Sequence, residues 1–310
     1  MNKLKRLTAL LLIAALPAFS GCTPLTDDAV PDDTRVMTTF YPLYALSVNL
    51  VKDVPALTLS NLVQPQVGCP RSYQLSNWDA ALIAGQDALI IGGRGLESFE
   101  SALTMGDAGI AVLSAMNGRT LYNGGASGET GSHLEGDNPW LFLSVPGAMD
   151  ISISIAAGMA QMDEPYAALY DKNLGEYLTR LQNLADDMED VVSRAPDLPV
   201  AVLHEGLGYL ARQLGLNIVC EYPREPGTEQ YGNDLGDLLA TLADAGAAVI
   251  LIERQAPQNL VEALTAEGYA VARLDTLMTH AADGDCGAYE RIMLENAKII
   301  AETLKSAANP

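Results

Sequence analysis

Two side chains that can bind divalent metal ions stand directly after predicted strands in the second half of the sequence. His204 follows the apolar run 199–203, and Asp275 follows the run 270–274. In an α/β fold, ligands bind in the loops at the carboxyl ends of parallel strands. An imidazole and a carboxylate that meet there can hold a divalent ion, but weakly, because tight zinc sites use four protein ligands. The alternative interpretation of His204 is a purely structural histidine.

Catalytic motifs are missing from the sequence. It contains no Gly-x-Ser-x-Gly elbow, no phosphate-binding loop and no His-Glu-x-x-His pair. We therefore expect a protein that is not an enzyme.

Four cysteines could contribute thiols or thiolates. The spacing of Cys69, Cys220 and Cys286 matches no zinc-ribbon or zinc-finger pattern. Outside the cell, these three could form at most one disulfide, and the sequence leaves the pairing open. The fourth, Cys22, belongs to the amino-terminal segment.

The first 21 residues read as a secretory signal. Three basic residues precede the apolar run 7–19, which is too short to span a membrane comfortably, and small residues follow. Cys22 after Ser-Gly resembles a bacterial lipobox, in which the mature amino-terminal cysteine is lipidated. Residues 22–34 are rich in Asp, Pro and Thr, which is typical of a flexible tether. We expect a lipid-anchored protein on the extracytoplasmic face of the cell membrane.

The charge of the chain excludes one class of partner. The sequence has 18 Lys and Arg against 39 Asp and Glu, and removal of the signal lowers the net charge from −21 to −24. Nucleic-acid binding needs clustered basic residues for the phosphates, so we expect no nucleic-acid partner. The sequence has no second long apolar run, so we expect no membrane contact beyond the lipid anchor.

A long amphipathic segment at 165–193 predicts the element around which the fold is arranged. Its apolar residues recur every three or four positions and its other face is acidic, as in a helix packed along one side. At 1.5 Å per residue it would be about 43 Å long. On either side, short β-rich runs alternate with helical segments, which is the pattern of parallel sheets.

We therefore expect an α/β fold with two lobes, each built on a parallel sheet, joined by one long backbone helix. The N-terminal lobe is predicted at 35–145, the connecting helical segment at 146–196 and the C-terminal lobe at 197–310. The total of 310 residues suits two domains of ordinary size.

Several short motifs in the N-terminal lobe resemble those of a known family. The segment 38–44 (TTFYPLY) resembles the opening strand and turn of the zinc/manganese solute-binding lipoproteins of ABC importers. The motifs QPQ at 64–66, DALI at 87–90 and GLESF at 95–99 continue the similarity in order. The resemblance implies two lobes joined by one long helix, Zn²⁺ or Mn²⁺ as solute, and an ABC transporter permease as partner.

The resemblance also implies four metal-ligand positions, two of which carry residues that cannot bind a metal ion. The family has a histidine two residues before the tyrosine that matches Tyr73, where this sequence has Arg71. It has another histidine where this sequence has Trp140. A guanidinium offers no lone pair, and an indole N–H only donates. Arg71 could pair with an acidic group, receive an anion or be solvated, and Trp140 could line the cleft, cover a flat ligand or pack in the core.

His204 and Asp275 match the other two ligand positions of the family. Glu253, which follows the run 248–252, resembles an acidic residue that orients the ligands, and it could also replace a lost one. Cys69 could replace a ligand as a thiolate, although a disulfide or an inert thiol is the simpler interpretation.

Two hypotheses follow. The first is an extracytoplasmic solute-binding lipoprotein of an ABC importer, ancestrally for Zn²⁺ or Mn²⁺, whose metal site has diverged. The alternative is a degenerate paralogue that binds an anionic or flat organic solute, or that acts as a surface interaction module.

Overall fold

Two parallel sheets of four strands form the framework of the protein. The computed structural model describes residues 33–65, 70–105, 109–122, 138–222 and 234–309. The strands of the first sheet are β1 (Thr34–Thr38), β2 (Leu57–Asn61), β3 (Ala88–Ile91) and β4 (Ala111–Ser114). Those of the second are β5 (Val200–Val202), β6 (Ile218–Glu221), β7 (Val249–Glu253) and β8 (Ala270–Leu274).

The two sheets share one topology. The strand order is β2-β1-β3-β4 in the first and β6-β5-β7-β8 in the second, and every neighbouring pair is parallel. In both sheets the second strand in sequence lies at one edge beside the first. The third and fourth strands follow on the other side of the first. The predicted α/β fold with two parallel sheets is confirmed.

Helices connect and cover the strands. In chain order they are α1 (Tyr41–Leu50), α2 (Asn77–Ala84), α3 (Glu100–Met105), α4 (Val145–Met162), α5 (Ala167–Val192), α6 (Leu207–Gln213), α7 (Asp234–Asp244), α8 (Gln258–Ala266) and α9 (Ala288–Ala308). The central strands β3 and β7 are buried along their whole length, which explains why their sequences are continuous apolar runs rather than alternating ones.

The predicted long helix is α5. It has 26 residues, or about 39 Å, and it begins after Pro165 because residues Glu164–Tyr166 form a separate 3-10 turn. Its buried stripe includes Tyr177, Leu181 and Met188. Helices α4 and α9 both pack against it, so α5 contacts structure that comes before it and after it in the chain.

A capping box forms the start of α2, shortly after Arg71 in the chain. Ser76 Oγ accepts a hydrogen bond from the backbone N–H of Asp79, and Asp79 Oδ2 accepts one from the backbone N–H of Ser76. Tyr73 donates its hydroxyl to the same Asp79 oxygen at 2.9 Å. These bonds satisfy backbone donors at the helix start and hold Tyr73 against it.

Some predictions fall outside the described residues or are not tested by the fold. The signal peptide at 1–21, Cys22 and nearly all of the tether at 22–34 lie outside them, as does Cys69. The lobe boundaries at 35–145, 146–196 and 197–310 stay predictions. Within the described ranges, no helix combines the length and apolar character needed to cross a bilayer.

Replacing Leu181 by Ala is expected to lower the free energy of unfolding by about 2–5 kcal/mol, because the side chain is fully buried in α5 and its loss leaves a cavity. Urea denaturation measures the change. Gln182→Ala, on the exposed face of the same helix, is the control and is expected to change stability by less than about 0.5 kcal/mol. Equal losses in the two variants would contradict the burial of this stripe.

Candidate functional site

His204 stands at the carboxyl end of β5 and is 1% exposed. The backbone N–H of Gly206 donates to its Nδ1 atom at 3.1 Å. Nδ1 is thus the acceptor, and the neutral ring carries its proton on Nε2. Metal-binding histidines commonly have the opposite arrangement, in which the nitrogen away from the metal donates. Binding a metal through Nε2 would therefore require the proton to move to Nδ1 and the Gly206 bond to break.

Asp275 follows β8 and is 2% exposed. Its Oδ1 atom accepts from the backbone N–H of Leu277 at 2.8 Å, and its Oδ2 atom lies 2.8 Å from His280 Nε2 and 2.9 Å from Arg254 Nη1. Burial by itself raises the pKa of this carboxyl. The hydrogen bond and charge of His280, the Leu277 N–H and the charge of Arg254 outweigh burial, so the pKa of Asp275 is lowered.

Glu253 ends β7, which lies between β5 and β8. The sheet order therefore places Glu253 between His204 and Asp275 along the carboxyl edge of the second sheet. It is 2% exposed. The backbone N–H of its neighbour Arg254 donates to Leu274 O at 2.7 Å, which extends the β7–β8 pairing beyond the strands.

Arg71 lies in the 3-10 turn Pro70–Ser72 that follows the first-sheet strand β2. Its Nη2 atom is 3.4 Å from Glu205 Oε1, and the two side chains are 22% and 8% exposed. Of the roles predicted for Arg71, pairing with an acidic group is the one found. The acid is the residue directly after His204.

Trp140 is 1% exposed and lies just before α4. Its indole Nε1–H donates to Glu205 Oε1 at 2.6 Å, the oxygen that also faces Arg71. Its ring meets the His204 ring edge-on, with 4.5 Å between centroids. Trp140 therefore packs in the core beside His204, and core packing is one of its predicted roles.

Glu205 is the main residue that sequence reasoning missed. Besides its carboxylate contacts, its backbone carbonyl accepts from Tyr122 Oη and from Asn138 Nδ2, each at 2.9 Å. The sequence contained one signal: Arg71 at a cleft position needs an acid, and Glu205 is adjacent to the predicted ligand His204.

His280 is another residue without a predicted role. It binds Asp275, is 32% exposed, and its ring lies 5.2 Å from that of Tyr41 at the start of α1. The contact brings an aromatic ring from the first half of the chain against the histidine that pairs with Asp275.

The arrangement provides few metal donors. Among the described residues, no three His, Cys, Asp or Glu side chains come close enough together to hold a metal ion. Instead, two guanidinium groups lie against carboxylates at the site, Arg71 at Glu205 and Arg254 at Asp275. Cys220 and Cys286 are free thiols.

Comparison with known proteins then decides the family. A family model described as "ZnuA: Zinc-uptake complex component A periplasmic" matches residues 36–303, most of the chain. The chain belongs to the ZnuA family. The ZnuA family is one of metal-binding solute-binding proteins of ABC importers, as the sequence motifs predicted.

Two curated relatives illustrate the similarity. The high-affinity zinc uptake system protein ZnuA of Bacillus subtilis is 26% identical over 278 residues, which cover 86% of this chain and 85% of that protein. The zinc-binding lipoprotein AdcA of Streptococcus pneumoniae is 23% identical over 305 residues. They cover 94% of this chain but only 60% of AdcA.

Solved structures of similar proteins have the same fold. The solute-binding protein FpvC of Pseudomonas aeruginosa, in complex with Ni²⁺, matches 88% of this chain and 97% of its own with a TM-score of 0.75 and 24% identity. The metal-dependent lipoprotein YcdH of Bacillus subtilis matches 87% and 99%, with a TM-score of 0.67 and 25% identity.

The lowered pKa of Asp275 predicts a specific pH dependence. A carboxyl with a lowered pKa adds stability that is present above its unfolded pKa and is lost as pH falls through its folded pKa. His280→Ala removes a hydrogen bond and a charge that lower this pKa. We expect the variant to lose stability at a higher pH than the unsubstituted protein.

Urea denaturation from about pH 2 to pH 6 measures this effect. In an Asp275→Asn background the same His280→Ala substitution is expected to leave the acid limb of the curve unchanged. If the protein that retains Asp275 loses stability over the same acid pH range with and without His280, then His280 does not lower the pKa of Asp275 and the prediction is wrong.

Proposed function

We propose that this chain is the extracytoplasmic solute-binding lipoprotein of an ABC importer, that it delivers its solute to the transporter permease, and that its solute is a divalent transition metal held weakly. Membership of the ZnuA family supports the transport role. The predicted signal at 1–21 and the lipobox cysteine Cys22 support anchoring at the outer face of the cell membrane. We expect no catalytic activity and no nucleic-acid partner.

One feature of the sequence carries the proposal of weak binding: of the four ligand positions that the resemblance implies, only His204 and Asp275 hold metal donors. They stand at the carboxyl edge of one sheet, where α/β folds bind ligands. Arg71 and Trp140 fill the other two positions and contact Glu205. Zn²⁺ or Mn²⁺ would therefore have two protein ligands plus water, with Glu253 and Cys69 as proposed replacements.

Two costs reduce the expected affinity further. The Nδ1 atom of His204 already accepts a backbone hydrogen bond, so metal binding at Nε2 needs a change of tautomer. Asp275 already pairs with Arg254 and His280, and a metal ion must displace or share these partners. Each cost subtracts from the free energy of coordination.

The first test is a calorimetric titration of Zn²⁺ and Mn²⁺ into the purified, metal-stripped mature protein. We expect micromolar or weaker binding, and we expect it to disappear in His204→Ala and in Asp275→Ala, because each removes one of two ligands. Asp197→Ala is the control. Asp197 is exposed and precedes β5, at the opposite edge of the same sheet.

Binding that persists in both variants, or no binding at all, would overturn the metal proposal. Either result would favour the second candidate, which is a protein that binds an anionic or flat organic solute or acts as a surface interaction module. The observation behind that candidate is the pair of guanidinium groups of Arg71 and Arg254, which are 22% and 50% exposed. The match to the ZnuA family would stand in either case.

A gain of affinity tests the lost ligand positions directly. The double variant Arg71→His and Trp140→His adds two imidazoles to His204 and Asp275, which completes a four-ligand set. We expect zinc affinity to rise at least about tenfold, a gain of about 1.4 kcal/mol in binding free energy, because four protein ligands are the arrangement of tight zinc sites. Calorimetry measures the change.

The matched control for this gain is Arg119→His, which places a new imidazole at an arginine of similar exposure that pairs with Asp150. This variant is expected to leave zinc affinity unchanged. A double variant that binds zinc no better than the parent would show that residues 71 and 140 do not face His204 and Asp275 as ligand positions.

A further inference from the structure

We propose that Glu205 determines the specificity of this cleft by binding the Arg71 guanidinium as an internal cation. The contact joins the half of the chain before α4 to the half after α5. The two halves are then closed onto each other without a metal ion. The inference rests on the proposed role as a solute-binding protein. It goes further because it names the Arg71 guanidinium as the group whose positive charge replaces that of a bound metal ion. A solute would bind this protein only in competition with its own arginine.

The first argument is convergence on one residue. Glu205 belongs to the loop between β5 and α6, in the second half of the chain. Arg71 and Trp140 reach its carboxylate from the first half, at 3.4 and 2.6 Å. Tyr122 and Asn138 reach its carbonyl, both at 2.9 Å. Four donors that precede α4 thus meet one acceptor residue that follows α5.

The second argument is burial. The Glu205 side chain is 8% exposed and the Arg71 side chain 22%, so the ion pair lies largely out of water, and the neighbouring Trp140 is 1% exposed. Hydrogen bonds to charged groups are stronger than neutral ones, and leaving one partner of a buried pair alone is costly. Separating the halves must expose and rehydrate both charges, and it breaks the indole bond at the same time.

The third argument is that the chain makes room for this contact. A side chain at Gly206 would put its Cβ atom 2.7 Å from Trp140 Cβ and from Leu143 Cδ1. A side chain at Gly208 would put it 2.1 Å from Tyr122 Oη. Residues on both sides of the contact can therefore approach Glu205 only because glycine occupies these two positions.

Neighbouring aromatic residues extend the contact. Tyr209 donates its hydroxyl to Asn138 O at 2.7 Å, and its ring lies 4.2 Å from that of Tyr122. The guanidinium of Arg212 lies over the other aromatic ring of this pair, 4.2 Å from the Tyr122 centroid. These contacts also join segments from the two halves, and none involves a metal donor.

Contacts near Asp275 also join the two halves of the chain. The backbone N–H of Gly284 donates to Tyr44 Oη at 3.0 Å, and the His280 ring lies against Tyr41. Helix α1 therefore contacts the loop after β8. The two halves meet on both sides of the ligand positions.

Intrinsic fluorescence can test the proposal because the chain has two tryptophans that differ in exposure. Trp78 is 71% exposed and Trp140 is 1% exposed. In a Trp78→Phe background, Trp140 becomes the single tryptophan reporter, and it lies in the contact itself. Acrylamide quenching of the mature protein in excess chelator then measures whether the halves are closed without metal.

We expect Trp140 to be well protected in chelator, and we expect added Zn²⁺ or Mn²⁺ to leave the protection unchanged. Arg71→Met and Glu205→Gln, each in the same background, are expected to increase the quenching constant several-fold. Arg119→Met is the control, because its 25% exposed side chain also pairs with an acid, but this acid is Asp150 of α4 and not Glu205. It is expected to leave Trp140 protected.

Easy quenching of Trp140 in chelator, with protection only after metal is added, would overturn the proposal without any variant. Protection that survives in both Arg71→Met and Glu205→Gln would overturn it as well. The outcome is separate from that of the proposed function. If the protein binds metal by calorimetry but Trp140 is exposed in chelator, the proposed function stands and this inference is wrong. If the protein binds no metal but Trp140 is protected and becomes exposed in the two variants, the metal proposal is wrong and this inference stands.

Discussion

A charge enclosed between two packed halves of a protein must meet a charge of opposite sign, because an unpaired buried ion costs several kcal/mol. In this chain that requirement is met at Glu205, whose carboxylate faces the Arg71 guanidinium at 3.4 Å. The neighbouring Trp140 indole donates to the same oxygen. Other contacts gather at the same place, because His204 packs on Trp140, and Tyr122 and Asn138 bind the Glu205 backbone.

A guanidinium and a divalent ion make different demands on such a site. A metal ion needs lone pairs arranged around a point, usually four of them for zinc. A guanidinium needs acceptors in its own plane and brings its charge on a covalent tether. The hydrogen bond at His204 does not prepare the ring for a metal ion, since Nδ1 accepts from the backbone rather than donates. Asp275 fits the second case, because its Oδ2 atom faces the guanidinium of Arg254 as well as His280.

The sequence predicted the fold well because its signals are local. The stripe of α5, the continuous apolar strands β3 and β7, and the alternation of strands and helices all follow from side-chain periodicity within one segment. Helix starts were less well predicted. Pro165 was expected to open the long helix, but it lies in a separate 3-10 turn before Ala167.

The site was predictable only in part, because its contacts join residues far apart in the chain. Placing His204, Glu253 and Asp275 at one edge required only the rule that parallel strands share a carboxyl edge. Pairing Glu205 with Arg71 requires knowing how segments 134 residues apart in the sequence pack together. The same holds for His280, whose neighbour Tyr41 belongs to α1. Neither pair leaves a periodic pattern.

The long helix α5 has a consequence for how quickly the protein could exchange its solute. Asn173 on this helix donates to the carbonyls of Leu50 and Lys52 at the end of α1. Two turns further on, Arg180 pairs with Glu290 of α9 at 3.2 Å and hydrogen-bonds Asn49. A helix clamped to both halves over so short a span resists bending at its centre. If the Arg71 contact holds the two halves together as proposed, the residence time of a solute would be set by how often that contact breaks, and a single substitution there would change release rates without altering the donors that bind the solute.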